Sequence, residues 1–152
     1  MKKILVLLFA ILINVGVANA ATTEQVRTFF NAYVASSNNF ESDVFSKYYV
    51  QNPKIIRVVQ KKDGTTQSVV VPKDRYLAEA AKGRNLGKAL RYKNNYSNVK
   101  ITPYGKDFKV TAMRNPSPGG SFPAHFIIGN VNGSLKIKEE SMNTPRQEFL
   151  GK

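Results

Sequence analysis

The sequence predicts an α+β fold in which two or three helices from the N-terminal and central parts of the chain pack on a mixed or antiparallel sheet. Apolar residues recur every three or four positions in residues 22–38, which is the period of a helix with one buried face. From residue 98 onward they alternate with polar residues, as in strands that bury one face. Turn residues such as Asn132-Gly133 separate these runs.

Composition limits the class of protein and the kinds of site. The chain has 152 residues, of which 42% are hydrophobic, and this is enough for one folded domain. It has no Cys and one His, which excludes disulfide scaffolds, cysteine-ligated metal sites, thiol catalysis and multi-histidine metal sites. The sequence therefore predicts no metal and no cofactor. The net charge is +13, and residues 54–114 hold fifteen basic and four acidic side chains, which favours anionic partners.

The first twenty residues have the pattern of a secretory signal peptide. Lys2 and Lys3 precede an apolar run, and an Ala-x-Ala cleavage site ends at Ala20. The apolar run is shorter than the roughly 20 residues of a membrane-spanning helix, and no second one follows. We therefore expect cleavage after Ala20 and a periplasmic or secreted product without a transmembrane anchor. Residues 21–144 then form a single domain, followed by a short C-terminal tail, residues 145–152.

A capping box opens the first predicted helix. Thr22 and Gln25 have its spacing, and the apolar stripe continues to residue 38. A short second helix is expected over residues 41–49, whose aromatic residues share one face. Asn52-Pro53 ends it, because the residue before a proline avoids helical backbone angles.

A third helix is expected in the middle of the chain. Pro72 is placed to open it and Gly83 to end it. Residues 84–96, which follow, fit a helix, a loop or the start of a strand.

The strands are expected to form a small hairpin and a larger antiparallel set. The hairpin spans residues 55–71, with its turn at Asp63-Gly64. The antiparallel set begins at Asn98. Residues after Thr144 are expected to be a frayed tail.

This order of elements resembles the SnoaL-like or ketosteroid-isomerase-like superfamily, which has the fold of nuclear transport factor two. The resemblance covers nearly all of residues 22–143 and rests on topology and hydrophobic pattern. It implies a curved, cone-shaped, cystatin-like sheet that wraps around the helices and leaves an apolar pocket. The superfamily contains isomerases, dehydratases, ligand carriers and structural modules, so the fold does not give the function.

One branch with this fold is the periplasmic core component of type IV secretion systems. That branch carries an Asn-Pro-x-Gly motif, and the nearest match here, residues 115–119, has one residue too many. The branch also keeps its N-terminal helix as an anchor, whereas this chain has a cleavable signal pattern. A component of an envelope secretion complex is therefore one alternative function.

Glu139 is the candidate catalytic residue of the sequence. Enzymes of this fold place a carboxylate or a His–Asp pair beside a tyrosine in the pocket, where burial tunes the base. Glu139 alternates with the apolar residues of the last strand, which predicts the concave face, with Tyr33 or Tyr48 as a hydrogen-bond donor. His125 has the opposite parity and is expected to point away. A pocket enzyme of the isomerase or dehydratase type is a second alternative, although the sequence favours a protein without catalytic activity.

Tyrosines of the first two helices suggest either a ligand pocket or a packed core. Tyr33, Tyr48 and Tyr49 lie on the aromatic faces of these helices. They are candidates to line a pocket for a small apolar ligand, and a buried tyrosine hydroxyl needs a partner in either case.

Basic residues gather on the other side of the predicted sheet. Arg91 joins this face depending on how residues 84–96 fold. The leading hypothesis is a binding or accessory module that docks an anionic surface or an envelope protein through this face. Nucleic acid is not expected, because nearby tyrosines form no recognisable motif. Alternation places four lysines on this face, Lys100, Lys109, Lys136 and Lys138. These lysines would repel their copies across a dimer interface, so we expect a monomer or a dimer that forms through another surface.

Overall fold

The computed structural model describes residues 20–151. Residues 1–19 of the predicted signal peptide lie outside this range, so the signal peptide stays a prediction. None of the helices within residues 20–151 has the length and apolar character needed to cross a membrane. The elements in chain order are α1 (Thr23–Asn38), α2 (Val44–Tyr48), β1 (Tyr49–Gln60), β2 (Thr66–Val70), α3 (Lys73–Leu90), β3 (Asn94–Tyr104), β4 (Asp107–Pro116), β5 (Phe122–Val131), β6 (Ser134–Thr144) and a short 3₁₀ helix, η1 (Gln147–Phe149).

The six strands form one mixed sheet in the order β2-β1-β6-β5-β4-β3. β1 and β6 are parallel, and all other neighbouring strands are antiparallel. β6, the last strand of the described residues, therefore lies inside the sheet, between β1 and β5. The structure has three helices packed on a curved mixed sheet. The predicted α+β fold class is therefore confirmed.

The core lies between α1 and the concave face of the sheet. Val26, Phe30 and Tyr33 are the buried stripe of α1 that the sequence indicated. The ring of Phe30 packs edge-on against Phe126 of β5, with 5.1 Å between the ring centroids. The capping box of Thr22 is formed in both directions, so the first predicted helix is confirmed.

The second helix is shorter than predicted, and β1 follows it directly. α2 ends at Tyr48, and β1 begins at Tyr49 with no linker. Pro53 lies inside β1, where the pairing with β6 is irregular between Tyr49 and Lys54. A proline is tolerated at such an irregularity, because its missing N–H removes no hydrogen bond from a regular ladder.

The third helix is longer than predicted. α3 passes through Gly83 and ends at Leu90, and the next residue, Arg91, has a left-handed backbone with φ 51°. The prediction that Gly83 ends this helix is wrong, because a single glycine in mid-helix costs only about 1 kcal/mol. Gly87 is the glycine that packing requires, since a Cβ there would lie 2.7 Å from Cε1 of Phe40.

These two glycines of α3 are expected to respond in opposite ways to alanine. Gly83→Ala should raise the free energy of unfolding by about 0.5–1 kcal/mol, because no atom lies within 4 Å of the added methyl group. Gly87→Ala should lower it by about 1 kcal/mol, because overpacking against Phe40 exceeds the gain in helix propensity. Urea denaturation measures both changes. Equal changes in the two variants would show that Phe40 does not pack closely on α3.

Residues 147–149 form η1 and pack on the domain through Phe149, so the prediction that the residues after Thr144 fray is wrong. Phe149 of η1 is 6% exposed and belongs to the core. The guanidinium carbon of Arg146 lies 4.9 Å from the centre of this ring, and that of Arg75 lies 5.3 Å from it. A buried aromatic ring of this kind anchors the segment through its hydrophobic area.

Candidate functional site

A cavity of about 280 Å³, here called the central cavity, lies between α1, α3 and the concave face of the sheet. A second cavity of about 350 Å³ adjoins it between α1 and α3. The two cavities share Tyr33, Tyr76 and Ala80 as wall residues. Ligand sites in proteins usually measure about 300–1,000 Å³, so the two cavities together suit a small organic molecule.

Glu140 lies in the wall of the central cavity and is 1% exposed. The ladder places it opposite Phe126, on the concave face. Arg57 of β1 donates a hydrogen bond from Nη2 to Oε1 of Glu140 at 2.7 Å, and the Tyr49 hydroxyl donates to Oε2. Burial alone would lower the pKa of Arg57, but the adjacent Glu140 carboxylate outweighs it and raises this pKa. The result is a buried ion pair in which both carboxylate oxygens have a partner.

Two further tyrosine hydroxyls continue this network into the cavity wall. The Tyr49 hydroxyl lies 3.0 Å from that of Tyr33 and accepts a hydrogen bond from that of Tyr76 at 3.2 Å. Because Tyr49 gives its only proton to Glu140, Tyr33 must donate to Tyr49 as well. Burial first, and then the negative charge of Glu140, raise the pKa values of all three phenols, which therefore stay protonated at neutral pH. Tyr33 and Tyr76 keep oxygen lone pairs with which to accept hydrogen bonds from a ligand.

Two more arginines line the central cavity. Arg146 lies 3.1 Å from Glu79 of α3, and both side chains are partly exposed. Arg114 projects from β4 into the same wall. The central cavity is therefore a polar and charged site, which differs from the apolar pocket that the resemblance implied.

A β-bulge in β6 overturns the predicted orientation of Glu139. The ladder pairs Ile137 with Ile128 and Glu139 with Ile127, so Lys138 is the extra residue. One extra residue reverses the alternation between the two faces of a strand. Glu139 therefore lies on the outer face, and the prediction that it lies on the concave face is wrong.

The bulge also explains why Glu140 was missed. Strict alternation assigns Glu140 to the outer face, and no residue of β6 signals a bulge. On the outer face Oε1 of Glu139 lies 3.1 Å from Nε2 of His125, and Oε2 lies 3.9 Å from Nζ of Lys54. The prediction that His125 points away from the pocket is confirmed. A catalytic role for Glu139 stays an untested prediction.

The three tyrosines predicted for a pocket have different places. Tyr33 lines the central cavity. Tyr49 lies behind the wall and donates to Glu140. Tyr48 is 4% exposed, and its hydroxyl lies 2.9 Å from Oγ of Ser36 in the core.

Two lysines of the predicted basic face have structural partners. Lys138 forms an ion pair with Asp107 at 2.8 Å. Lys136 donates hydrogen bonds to two backbone carbonyls at the end of α2, at 2.7 and 3.3 Å. A lysine at this end of a helix stabilises the unpaired carbonyls and the helix dipole. Lys136 and Lys138 therefore each have a contact within the domain that stabilises the fold.

The other basic residues are placed differently. Lys100 and Lys109 line a groove of the outer face beside His125. Arg91 forms the left-handed end of α3 and does not line this groove. Docking of an anionic partner by this face stays a prediction, and Lys100 and Lys109 are the two of its four lysines that line the groove.

The fold is that of NTF2-like proteins. An NTF2-like protein of unknown function from Pseudomonas putida has a TM-score of 0.63 at 12% identity, over 80% of this chain and 85% of that protein. A candidate dehydratase of the NTF2-like family from Streptomyces avermitilis has a TM-score of 0.61 at 12% identity, over 79% and 93% of the two chains. An NTF2-like protein with a cystatin-like fold from Novosphingobium aromaticivorans has a TM-score of 0.59 at 11% identity, over 79% of each chain.

These similarities concern the fold alone. No protein-family model and no curated protein matches the sequence. The fold implied by the resemblance is confirmed, and at identities of 11–12% it carries no activity with it.

Proposed function

We propose that this NTF2-like chain is an exported binding protein that holds a small organic molecule in the central cavity. The observation that carries the proposal is the bonding of Glu140, whose two oxygens accept hydrogen bonds from Arg57 and Tyr49. A general base must bring a lone pair to the proton that it removes. Both oxygens of the Glu140 carboxylate already accept hydrogen bonds. We therefore assign Glu140 the role of orienting Arg57 and Tyr49 rather than that of removing a proton. Export rests on the predicted signal peptide.

The cavity wall favours a ligand that has both an apolar and a polar part. The rings of Tyr33, Tyr76 and Tyr96 and the side chain of Met142 supply apolar surface. The hydroxyls of Tyr33 and Tyr76 supply acceptors. A wholly apolar ligand, which the sequence predicted, would place no polar group against these hydroxyls or against the arginines of the wall.

Filling the cavity tests the proposal. Ala80 lines both cavities, whereas Ala78 is exposed on the same helix. Ala80→Trp is expected to lower the affinity for small aromatic alcohols and acids at least about tenfold, because the indole ring occupies their volume. Ala78→Trp should leave the affinity unchanged. Isothermal titration calorimetry gives the affinities, and native mass spectrometry of the gently purified protein identifies a retained ligand. Equal binding by both variants would place the ligand elsewhere.

A pocket enzyme of the isomerase or dehydratase type is the second candidate. A buried carboxylate with tyrosines beside it in a cavity favours this candidate, and a candidate dehydratase shares the fold. Glu140→Gln and Glu139→Gln are a matched pair, since the two residues are adjacent on opposite faces of β6. Turnover of a substrate that is lost in Glu140→Gln and kept in Glu139→Gln would favour the enzyme over the binding protein.

A further inference from the structure

The arginines of the central cavity differ in how their charge is balanced. Arg57 is paired with Glu140 at 2.7 Å, and Arg146 is paired with Glu79 at 3.1 Å. Arg114 has no carboxylate within ion-pair distance among residues 20–151. The central cavity therefore has one positive charge that the described part of the chain does not balance.

The hydrogen bonds of the Arg114 guanidinium are long, at the upper end of the usual range or beyond it. Nη1 lies 3.2 Å from Oδ1 of Asn94 and 3.4 Å from the Tyr92 hydroxyl. Nη2 lies 3.3 Å from the Asn143 carbonyl, and the buried Nε has no partner within residues 20–151. Hydrogen bonds of this type usually measure about 2.7–3.2 Å. Buried donors in native proteins nearly always have a partner, and Nε is the donor of Arg114 that has none within residues 20–151.

We propose that Arg114 binds a carboxylate of the ligand. This inference rests on the proposed function, because it names the ligand class of the same cavity. A planar guanidinium carries pairs of parallel N–H groups, and such a pair matches the two oxygens of a carboxylate. The ring of Phe122 lies 5.2 Å from the guanidinium carbon and fixes its plane.

The surroundings of Arg114 define the rest of the ligand. Tyr96 is directly opposite Arg114 in the β3–β4 ladder, and both line the central cavity with Met142. A flat or slender apolar group attached to the carboxylate fits between these side chains and the tyrosine hydroxyls. The ligand class is therefore a small monocarboxylic acid with an aromatic or short aliphatic body.

Matched pairs of acids and amides test the charge. The probes are benzoate, phenylacetate and hexanoate, each compared with its amide by calorimetry on the mature protein. At least one acid is expected to bind about 10- to 100-fold more tightly than its amide, because charge-assisted bonds to a buried guanidinium are strong. Its affinity should change little between low and physiological salt, since screening acts mainly on exposed charges. Inorganic phosphate, the comparison anion, should bind more weakly.

Variants of Arg114 test the residue. Arg114→Met should lower the affinity for the acid about 10- to 100-fold and leave that for the amide unchanged. Arg114→Lys keeps the charge without the planar edge and should give an intermediate loss. Arg27→Met, on a partly exposed side chain of α1, is the control and should change neither affinity. If Arg114→Met does not fold, Arg114→Lys and the acid–amide comparison decide the question.

The outcomes separate this inference from the proposed function. Equal binding of acids and amides, with Ala80→Trp abolishing both, would overturn the carboxylate and keep the binding protein. Tighter binding of phosphate than of any acid would overturn the carboxylate and would show that Arg114 prefers another anion. No binding of any probe and no retained ligand in native mass spectrometry would overturn both proposals.

Discussion

Replacing Glu140 by leucine is expected to lower the free energy of unfolding by about 3–5 kcal/mol. The change leaves the guanidinium of Arg57, whose side chain is 12% exposed, buried without its partner, and the Tyr49 hydroxyl loses its acceptor. Domains of this kind are usually stable by about 5–15 kcal/mol, so the loss is a large share of the total. Urea denaturation at neutral pH measures it.

Two further variants show whether the buried charge is the cause. Glu139→Leu changes the adjacent residue, whose side chain is 25% exposed, and should cost less than about 1 kcal/mol. Arg57→Met combined with Glu140→Leu removes both charges and should restore much of the stability, because apolar replacements of a buried ion pair are often neutral. A loss in Glu140→Leu no larger than that in Glu139→Leu would contradict the buried ion pair.

Raising the pH above about 10 is expected to unfold the protein steeply. Burial is the main cause that raises the pKa values of four phenols in the folded protein, Tyr33, Tyr49, Tyr76 and Tyr96. Tyrosines of the unfolded chain ionise near pH 10. The folded state therefore keeps protons that the unfolded state releases, so the stability is fully present below about pH 10 and falls as the pH rises toward the folded-state pKa values. Each phenol contributes up to about 1.4 kcal/mol per pH unit, and four give about 5 kcal/mol per unit.

A series of denaturation curves between pH 8 and pH 12 measures this slope. Tyr76→Phe removes one of the four phenols and should reduce the slope by about 1.4 kcal/mol per pH unit. The two proteins differ in this phenol alone, so the difference between their slopes is its contribution. Equal slopes, or ionisation of all tyrosines of the folded protein near pH 10, would show that this network is open to water.

Local sequence signals predicted the elements that local contacts build. The capping residues of α1 are three positions apart in the sequence, and the Asn132-Gly133 turn joins adjacent strands. Both residues of this turn have positive φ, 51° and 85°, which is the backbone that this residue pair favours. Such contacts need no knowledge of distant residues, which is why they could be predicted.

The candidate site depends on contacts that no local pattern contains. Arg57 and Glu140 are 83 positions apart, and they meet because β1 pairs in parallel with β6. The bulge that turns Glu140 inward involves three strands, since Asp107 and Lys138 occupy the space that a Cβ at Gly129 would need. Alternation within one strand cannot predict a bulge of this kind. It therefore predicted that Glu139, rather than the adjacent Glu140, faces the cavity.

The position of β6 inside the sheet also affects when the chain is able to fold. During synthesis β1 has only β2 beside it, and β3–β5 have no connection to that hairpin until β6 is available. The two halves of the sheet join through β6, which ends at Thr144, so this long-range pairing waits until residue 144 has been made. For a chain with a predicted export signal, this order leaves the sheet incomplete, with β1 and β5 each lacking a neighbour, while the preceding residues are already available for export.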